Sequence, residues 1–177
     1  MVQIIAAEAR YFDSAWETLN AVMREGKFLA AAEAPPREHV KALWAYYQIE
    51  NWPLLFALDT ANNRVVGWCA AAMCGDRMCN MSVGLLPEYR AQTLGAQLVS
   101  RMLERARAAG FARVLLDVRA SNTRAIALYQ RLGFVVTRVK RDVPLSGGCE
   151  DVLRMERALT QADAGKNKQG AREQRAE

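Results

Sequence analysis

A turn rich in groups that can bind phosphate lies in the middle of the chain, between a strand-like segment and a long helical one. Residues 85–96 read LLPEYRAQTLGA. A helix that begins here presents unpaired backbone N–H groups and the positive end of its dipole at one place, where phosphate binds well. Arg90 would add a fixed charge, and Gly95 would let an anion approach the backbone. The alternative is that Arg90 is a solvated loop residue and Gly95 serves helix packing.

A second motif, further along the chain, places unlike residues at fixed distances. From Leu115 to Phe134 the sequence reads LLDVRASNTRAIALYQRLGF, which predicts a strand, a capping asparagine, a short helix, a glycine stop and a new strand. Together with the preceding turn, it resembles the GNAT superfamily of acetyl-coenzyme A-dependent N-acetyltransferases. The pattern N-x-x-A-x-x-L-Y-x-x-x-G-F is the specific part of this resemblance. The run from Asp117 to Gly133 is most similar to the ribosomal-protein alanine N-acetyltransferases.

The resemblance implies a fold and a binding place for acetyl-coenzyme A (acetyl-CoA) as cosubstrate. The expected fold is α/β (α+β), a mixed, mostly antiparallel seven-stranded sheet that is splayed between strands four and five and flanked by about four helices. The pantetheine arm would lie in the opening between residues 78–86 and 112–118. The resemblance assigns cofactor contacts to a strand end, the turn and an asparagine, namely Val83, Gly84, Leu85, Arg90, Ala91, Gln92, Thr93, Leu94, Gly95, Ala96 and Asn122.

One residue of the turn departs from the family pattern. Where the family usually has a glycine, this chain has Thr93. A β-branched residue thus stands where the backbone must approach a phosphate closely. Either the Thr93 hydroxyl joins the phosphate contacts or the affinity for the cofactor falls.

The resemblance also places Tyr129 beside the cofactor sulfur, where a phenol has a chemical role. Direct attack of an amine on a thioester needs no covalent enzyme intermediate, and a strand N–H freed by the splay can stabilise the charge that grows on the acyl oxygen. The departing thiolate, with a pKa of about 8.5, then has to be protonated. We expect Tyr129 to supply that proton. The alternative is a packed helix aromatic with a solvated hydroxyl.

Asp117 is the candidate base. An alkylamine is mostly protonated at neutral pH, so a base or a water relay has to remove a proton before it attacks. Asp117 aligns with an acidic residue of the alanine acetyltransferases, and because aspartate is one methylene shorter than glutamate, a relaying water fits this role. Alternatively, Asp117 pairs with Arg113 or Arg119, which lie four and two residues away on the same strand face.

The rest of the chain supplies the elements that have to position these residues. Apolar patterns predict strands at residues 2–7, 54–59, 64–74, 78–86, 112–118, 134–140 and 153–159. Helical spacing predicts helices that begin near Asp13 as N-cap, after Pro36, at Leu94 and after Asn122. Hairpin-like strands come first and a strand-helix-strand-helix-strand run follows, which favours a mixed sheet with helices beside it.

Length and composition indicate an ordinary globular protein. The chain has 177 residues, of which 51% are hydrophobic and 24% charged, enough for one packed domain. We expect an acetyltransferase domain in residues 1–160 and a disordered polar tail in residues 161–177, which lack large apolar side chains. Because no apolar run approaches about 18 residues and no leader pattern is present, we expect a cytoplasmic protein without membrane contact.

Cysteine spacing and charge bear on metals and partners. Cys69, Cys74 and Cys79 are spaced unlike the paired cysteines of zinc sites, so with Cys149 we expect reduced, mostly buried residues and no bound metal. The formal net charge of +5 suits a nucleotide cofactor as well as a nucleic acid. Because the helical arginines also suit a solvated face, we do not expect nucleic acid as a partner.

The sequence therefore predicts an enzyme that transfers an acetyl group from acetyl-CoA to a primary amine within a ternary complex. Two acceptor classes stay open, a protein N-terminus and a small-molecule amine. A non-catalytic acyl-CoA-binding module is the alternative, but the presence of both Asn122 and Tyr129 argues against it, since a sensor needs no acid. A homodimer is compatible with all of these features.

Overall fold

The structure, a computed structural model, describes residues 1–29, 31–90 and 93–159. Its strands are β1 (Val2–Ala6), β2 (Leu54–Asp59), β3 (Arg64–Gly75), β4 (Met78–Leu85), β5 (Arg113–Arg119), β6 (Val135–Leu145) and β7 (Gly148–Ala158). Its helices are α1 (Phe12–Arg24), α2 (Arg37–Ile49), α3 (Leu94–Ala108) and α4 (Thr123–Arg131). The predicted tail at residues 161–177 lies outside the described residues.

All seven strands belong to one mixed sheet. Their order is β1-β2-β3-β4-β5-β7-β6. Every neighbouring pair is antiparallel except β4 and β5, which are parallel. The expected α/β fold, with a mostly antiparallel seven-stranded sheet and four helices, is therefore confirmed.

Strands β4 and β5 part after a short stretch of pairing. Residues 78–80 pair with residues 113–115, although β4 continues to Leu85 and β5 to Arg119. On its other side, β4 stays paired with β3 as far as Leu85. The N–H and C=O groups that β4 turns toward β5 beyond Asn80 therefore have no strand partner among the described residues. This is the expected splay between strands four and five.

An aromatic cluster fixes the first two helices on the sheet. Phe12 of α1, Trp44 of α2 and Phe56 of β2 meet edge to face, with ring centroids 5.6 to 6.2 Å apart. All three side chains are buried. The Thr18 hydroxyl of α1 also donates to the Val65 carbonyl of β3 at 2.6 Å. Because buried aromatic rings pack at defined angles, these contacts set how α1 lies across the sheet.

Helix α3 packs on the sheet through one apolar side. Leu94, Leu98, Met102 and Ala106 are buried at the predicted four-residue spacing. Gly110, with a φ of +89°, follows the end of the helix as predicted. This packing holds the N-terminus of α3 next to the end of β4, where the turn was expected.

The start of α1 differs from the prediction. The helix begins at Phe12, directly after a 3-10 helix at Ala9–Tyr11, so Asp13 lies in the first turn and is not the N-cap. Its carboxylate instead pairs with Arg37 and Lys41 of α2, each at 3.5 Å. Asp13, which the sequence pattern assigned to capping α1, therefore contributes to the contact between α1 and α2.

The last two strands are longer than predicted. Strands β6 and β7 extend toward each other and pair up to Leu145 and Gly148. Gly147 and Gly148 adopt φ of +96° and +128° in the connecting turn, a conformation that glycine adopts without strain. The part of β6 beyond Lys140 is mostly exposed and reads RDVPL, with charged residues and a proline that the prediction did not assign to a strand.

Three further features bear on the sequence-based expectations. Cys69 and Cys79 are buried, but Cys74 and Cys149 are exposed, so only half of the cysteines meet the expectation. Within the described ranges, no three His, Cys, Asp or Glu side chains come close enough to share a metal ion. In the same part of the chain, no helix is both long and apolar enough to cross a bilayer.

Candidate active site

The turn between β4 and α3 leads into the N-terminus of a helix, as the sequence predicted. The chain leaves β4 through a 3-10 helix at Pro87–Tyr89 and enters α3 at Leu94. The first N–H groups of α3, at Leu94, Gly95 and Ala96, lack intrahelical acceptors and collect at this end. Two residues assigned to this turn, Ala91 and Gln92, lie outside the described residues.

Thr93 causes no backbone strain at the start of α3. Its φ is −63°, which any residue adopts, and its side chain does not cap the helix. The hydroxyl accepts a hydrogen bond from Gln97 Nε2 at 3.3 Å and lies on an exposed residue. The hydroxyl is therefore placed at the helix end where the phosphate contacts were expected.

Packing does not require glycine at position 95. A Cβ built on Gly95 would lie 3.5 Å from Leu85 Cδ1 and 3.8 Å from Leu128 Cδ2, both ordinary van der Waals distances. The interpretation that Gly95 serves close helix packing therefore finds no support. The absence of a side chain at position 95 leaves the backbone at the start of α3 more open.

Arg90 is already bound to a carboxylate. Both of its Nη atoms donate to Glu25 at the end of α1, one of them at 2.8 Å. Its Nε donates to the Leu85 carbonyl at 2.8 Å, and the guanidinium lies 4.7 Å from the centroid of the Phe28 ring. Arg90 is thus not the solvated loop residue of the alternative interpretation. An anion at this turn has to share Arg90 with Glu25 or displace it.

The Trp68 side chain of β3 lies directly against Gly84 near the end of β4. Gly84 lies opposite Trp68, and a Cβ at this position would come within 2.1 Å of the indole ring. Only glycine fits there without movement of the ring. Val83, Gly84 and Leu85 stay paired with β3 at the point where β4 is no longer paired with β5.

Helix α4 begins with the predicted cap. Asn122 Oδ1 accepts a hydrogen bond from the Ala125 N–H at 3.3 Å. In the first turn of α4, Arg124 donates to the Arg90 carbonyl. The start of α4 is thereby tied to the turn before α3, so Asn122 and the turn border the same opening.

Tyr129 is a buried phenol near the free edge of β4. It lies on α4, only 8% exposed, with its ring 5.7 Å from that of Phe134. Burial raises its pKa, and the nearby Cys69 adds to this effect. Cys69 pairs with Val83 in the β3–β4 register, which places the phenol close to the end of β4. None of the residues in 1–29, 31–90 and 93–159 hydrogen-bonds the hydroxyl.

Asp117 is held by two cations on neighbouring strands. Arg154 of β7 donates to it from Nε at 2.9 Å and from Nη2 at 3.0 Å, and Lys140 of β6 donates at 2.8 Å. Partial burial raises the pKa of Asp117, but the hydrogen bonds from Arg154 and Lys140 outweigh burial, and the net shift is downward. The carboxylate is therefore ionised at neutral pH and holds a proton weakly.

The structure shows Asp117 in an ion pair, but the two predicted partners were wrong. Arg113 pairs with Glu156 at 3.7 Å, and Arg119 turns to loop carbonyls. Arg154 stands directly opposite Asp117 in the β5–β7 register. A cross-strand neighbour is about 5 Å away, whereas a residue two positions along a strand is about 7 Å away. Asp117 therefore pairs with Arg154, the cation that lies closer to it.

A cavity of about 410 Å³ lies at the C-terminal end of β5, beside Asn122. Its walls come from residues 26–28 after α1, residues 121–124 at the start of α4, and residues 146–150 of the β6–β7 hairpin. Glu150 lines this cavity, and hydrogen bonds from Ser121, with Arg119 4.0 Å away, lower its pKa. The cavity thus offers one ionised carboxylate next to the opening.

Sequence reasoning missed three parts of this region. The first is Glu25, which binds Arg90. The second is Arg119, which lines the cavity, and the third is the β6–β7 hairpin, which forms its third wall. Glu25 reads as an ordinary residue at a helix end, and Arg119 as an ordinary residue at a strand end. Neither has a local pattern that reveals a partner far away in the sequence.

Comparisons with known proteins agree with this geometry. Residues 15–134 match the acetyltransferase (GNAT) family. The chain is 32% identical over 97 residues to the ribosomal protein bS18-alanine N-acetyltransferase of Escherichia coli K12, over 54% of this chain and 66% of that protein, just under two thirds of its length. It is 33% identical over 120 residues to the catalytic subunit of the N-terminal acetyltransferase B complex of Arabidopsis thaliana, over 63% of this chain and 67% of that protein.

The fold also matches solved structures. The structure of yncA from Salmonella typhimurium, solved with its cofactor acetyl-CoA, superposes with a TM-score of 0.83 at 22% identity, over 91% of this chain and 95% of that chain. The family match covers well over half of the chain, and the splayed sheet has the form that the motifs predicted. The chain therefore belongs to the GNAT family of acetyltransferases.

Proposed function

We propose that this protein transfers an acetyl group from acetyl-CoA to a primary amine by direct attack within a ternary complex. The observation that carries the proposal is the opening between β4 and β5, next to the N-terminus of α3 and the buried Tyr129. The acceptor is a protein N-terminus or a small-molecule amine. The two relatives named above, one a ribosomal-protein alanine N-acetyltransferase and the other the catalytic subunit of an N-terminal acetyltransferase complex, favour the protein N-terminus.

The residues around the opening fit acetyl-CoA. The unpaired edge of β4 at Val83, Gly84 and Leu85 can hydrogen-bond the pantetheine amides, as a further strand would. The N–H groups at the start of α3 can bind the pyrophosphate, with Arg90 and the Thr93 hydroxyl beside them. Asn122 can donate a hydrogen bond to acetyl-CoA from its side-chain nitrogen, because the helix cap uses only its oxygen. Acetyl-CoA would supply the reactive thioester, and these residues would hold it in place.

Tyr129 is proposed as the acid that protonates the leaving sulfur. Its surroundings are apolar, so the phenol keeps its proton at neutral pH. In water, a thiolate with a pKa of about 8.5 is too weak a base to deprotonate a phenol with a pKa of about 10. Burial raises the pKa of both the phenol and a thiol that leaves beside it, so the proton has to move to the sulfur as the carbon–sulfur bond breaks. The hydroxyl is also not engaged by another described residue.

Asp117 is proposed to accept the amine proton through a water. Its ion pairs with Arg154 and Lys140 keep it ionised, as a base must be, but make it a weak base. A second contribution does not depend on basicity. The three side chains join β5, β7 and β6 across the sheet, and they hold the β5 side of the opening in place.

We place the acceptor amine in the cavity at the end of β5. The cavity adjoins Asn122, and none of the described residues of the turn that would hold the pyrophosphate lines it. Glu150 is ionised there, so it can attract an ammonium group before the proton is lost. A peptide N-terminus or a small amine satisfies this chemistry.

An acetyl-CoA consumption assay over a panel of N-terminal peptides and small amines tests the proposal. We expect thiol release that depends on one acceptor class, with the acetylated amine identified by mass spectrometry. Thiol release that is the same with and without every acceptor would contradict the transferase function. If acetyl-CoA then still binds, the protein is a non-catalytic acyl-CoA-binding module.

A further inference from the structure

Arg119 is a buried cation that holds two distant loops together. It lies at the end of β5, with its side chain 8% exposed. Its Nη1 donates to the Gly26 carbonyl at 2.9 Å and to the Ser146 carbonyl at 3.3 Å. Its Nη2 donates to the Leu29 carbonyl and to Ser146 Oγ, the latter at 3.0 Å. One guanidinium therefore links the segment after α1 with the β6–β7 turn.

Stability alone is a poor reason for this arrangement. Burying a charge is costly, and an apolar side chain often stabilises such a place at least as well. The partners of Arg119 are mostly neutral carbonyls, and the nearest carboxylate, Glu150, is 4.0 Å away. Arg119 Nε is buried without a hydrogen-bond partner among the described residues. What arginine does provide is a rigid planar fork that fixes several acceptors at once.

The two linked loops are walls of the cavity assigned to the acceptor. Gly26 and Ser146 both line it, together with Glu150. By contrast, the turn before α3 and Tyr129 take no part in the hydrogen bonds of Arg119. The width of the cavity can therefore depend on Arg119, whereas Tyr129 and the start of α3 have their own packing and Arg90 keeps its hydrogen bond to the Leu85 carbonyl.

We propose that Arg119 is a positioning residue for the acceptor, which sets the spacing of the two cavity walls through Gly26, Leu29 and Ser146. This inference rests on the proposed function. Loss of the guanidinium fork loosens the place where the amine docks. The acceptor KM then rises, while kcat and the KM for acetyl-CoA change little.

Arg119→Lys tests the inference, because lysine keeps the charge but cannot reach both walls with a planar fork. We expect the acceptor KM to rise about tenfold, with kcat and the acetyl-CoA KM within about twofold of wild type. Arg113→Lys is the matched control, since Arg113 lies on the same strand face, is 54% exposed and pairs with Glu156. An unchanged acceptor KM in Arg119→Lys, or an equal loss for both substrates, would overturn the inference.

A milder variant keeps the test decisive if Arg119→Lys folds poorly. Ser146→Ala removes one acceptor of the fork and leaves the arginine in place. We expect a smaller rise in acceptor KM, about threefold, with the same constancy of the acetyl-CoA KM. An acceptor KM equal to that of wild type in a folded Ser146→Ala protein would count against the proposed linkage.

Amide hydrogen exchange separates failure of this inference from failure of the proposed function. In Arg119→Lys, we expect faster exchange at residues 26–29 and 145–149 and unchanged exchange in α3. If wild type acetylates none of the acceptors, the proposed function is wrong, but faster exchange at both loops still supports the role of Arg119 in holding them. Unchanged exchange at both loops overturns the inference, whatever the activity.

Discussion

On the two sides of the opening between β4 and β5, different physical effects shift the pKa of the candidate catalytic side chain. On the α4 side, burial raises the pKa of Tyr129, whose ring packs against Phe134. On the β5 side, Lys140 and Arg154 lower the pKa of Asp117, which is one third exposed. One side keeps a proton by desolvation, and the other keeps a negative charge by ion pairing. Removal of the phenol should therefore slow the reaction strongly, and removal of the weakly basic carboxylate should slow it less.

Tyr129→Phe should have the largest effect. The ring and its packing stay, but the proton is lost, so we expect kcat to fall about 100-fold or more. Binding of acetyl-CoA, measured by calorimetry, should stay within about twofold of wild type. Tyr47→Phe is the matched control, because Tyr47 is equally buried on α2 but packs against Trp52. A kcat in Tyr129→Phe equal to that of the Tyr47 variant would exclude the acid role.

Asp117→Asn should have a smaller effect, with kcat lowered about tenfold or less. Because the pKa of Asp117 is shifted down from about 3.9, its protonation lies below the pH range of most assays. An acidic limb near neutrality in the wild-type pH–rate profile then belongs to another group, and the variant should keep it. Glu156→Gln, which removes a carboxylate from the same sheet face, controls for the lost charge. Loss of the limb in Asp117→Asn alone would show that Asp117 titrates as the base.

Glu25→Gln should have the smallest effect of the three variants, and the effect should be on cofactor binding, because Glu25 binds Arg90 in the turn between β4 and α3. The variant releases Arg90 from a charged partner, so we expect coenzyme A to bind about threefold more tightly, with a larger gain at low salt. Glu17→Gln on α1 is the control, since Glu17 pairs with Arg37 at 3.8 Å, away from the turn. Weaker binding in Glu25→Gln would mean that Glu25 holds Arg90 in the orientation that the phosphates need.

Features that depend on neighbouring residues, such as the two ends of α4, were predicted well from the sequence. Asn122 caps α4 through a residue three positions on, and Gly133 follows its end with a φ of +83°. Both depend on contacts within a few residues, which a sequence pattern records. The resemblance added the splay between β4 and β5, which composition and periodicity alone do not predict.

Long-range pairings were not predicted, because each depends on a residue far away in the chain. Arg90 meets Glu25 across 65 positions, Asp117 meets Arg154 across 37, and Arg119 meets Leu29 across 90. Which cation reaches a carboxylate is decided by strand register and loop packing, not by spacing along one strand. The opening between β4 and β5 could therefore be predicted, but the charge network around it could not.

Calorimetric titration with coenzyme A and acetyl-CoA tests most directly whether the opening between β4 and β5 is a thioester site. We expect saturable binding of one ligand per chain, unchanged in Tyr129→Phe. No saturable heat from either ligand at millimolar concentration would contradict the site, the reaction and the roles assigned to both of its sides.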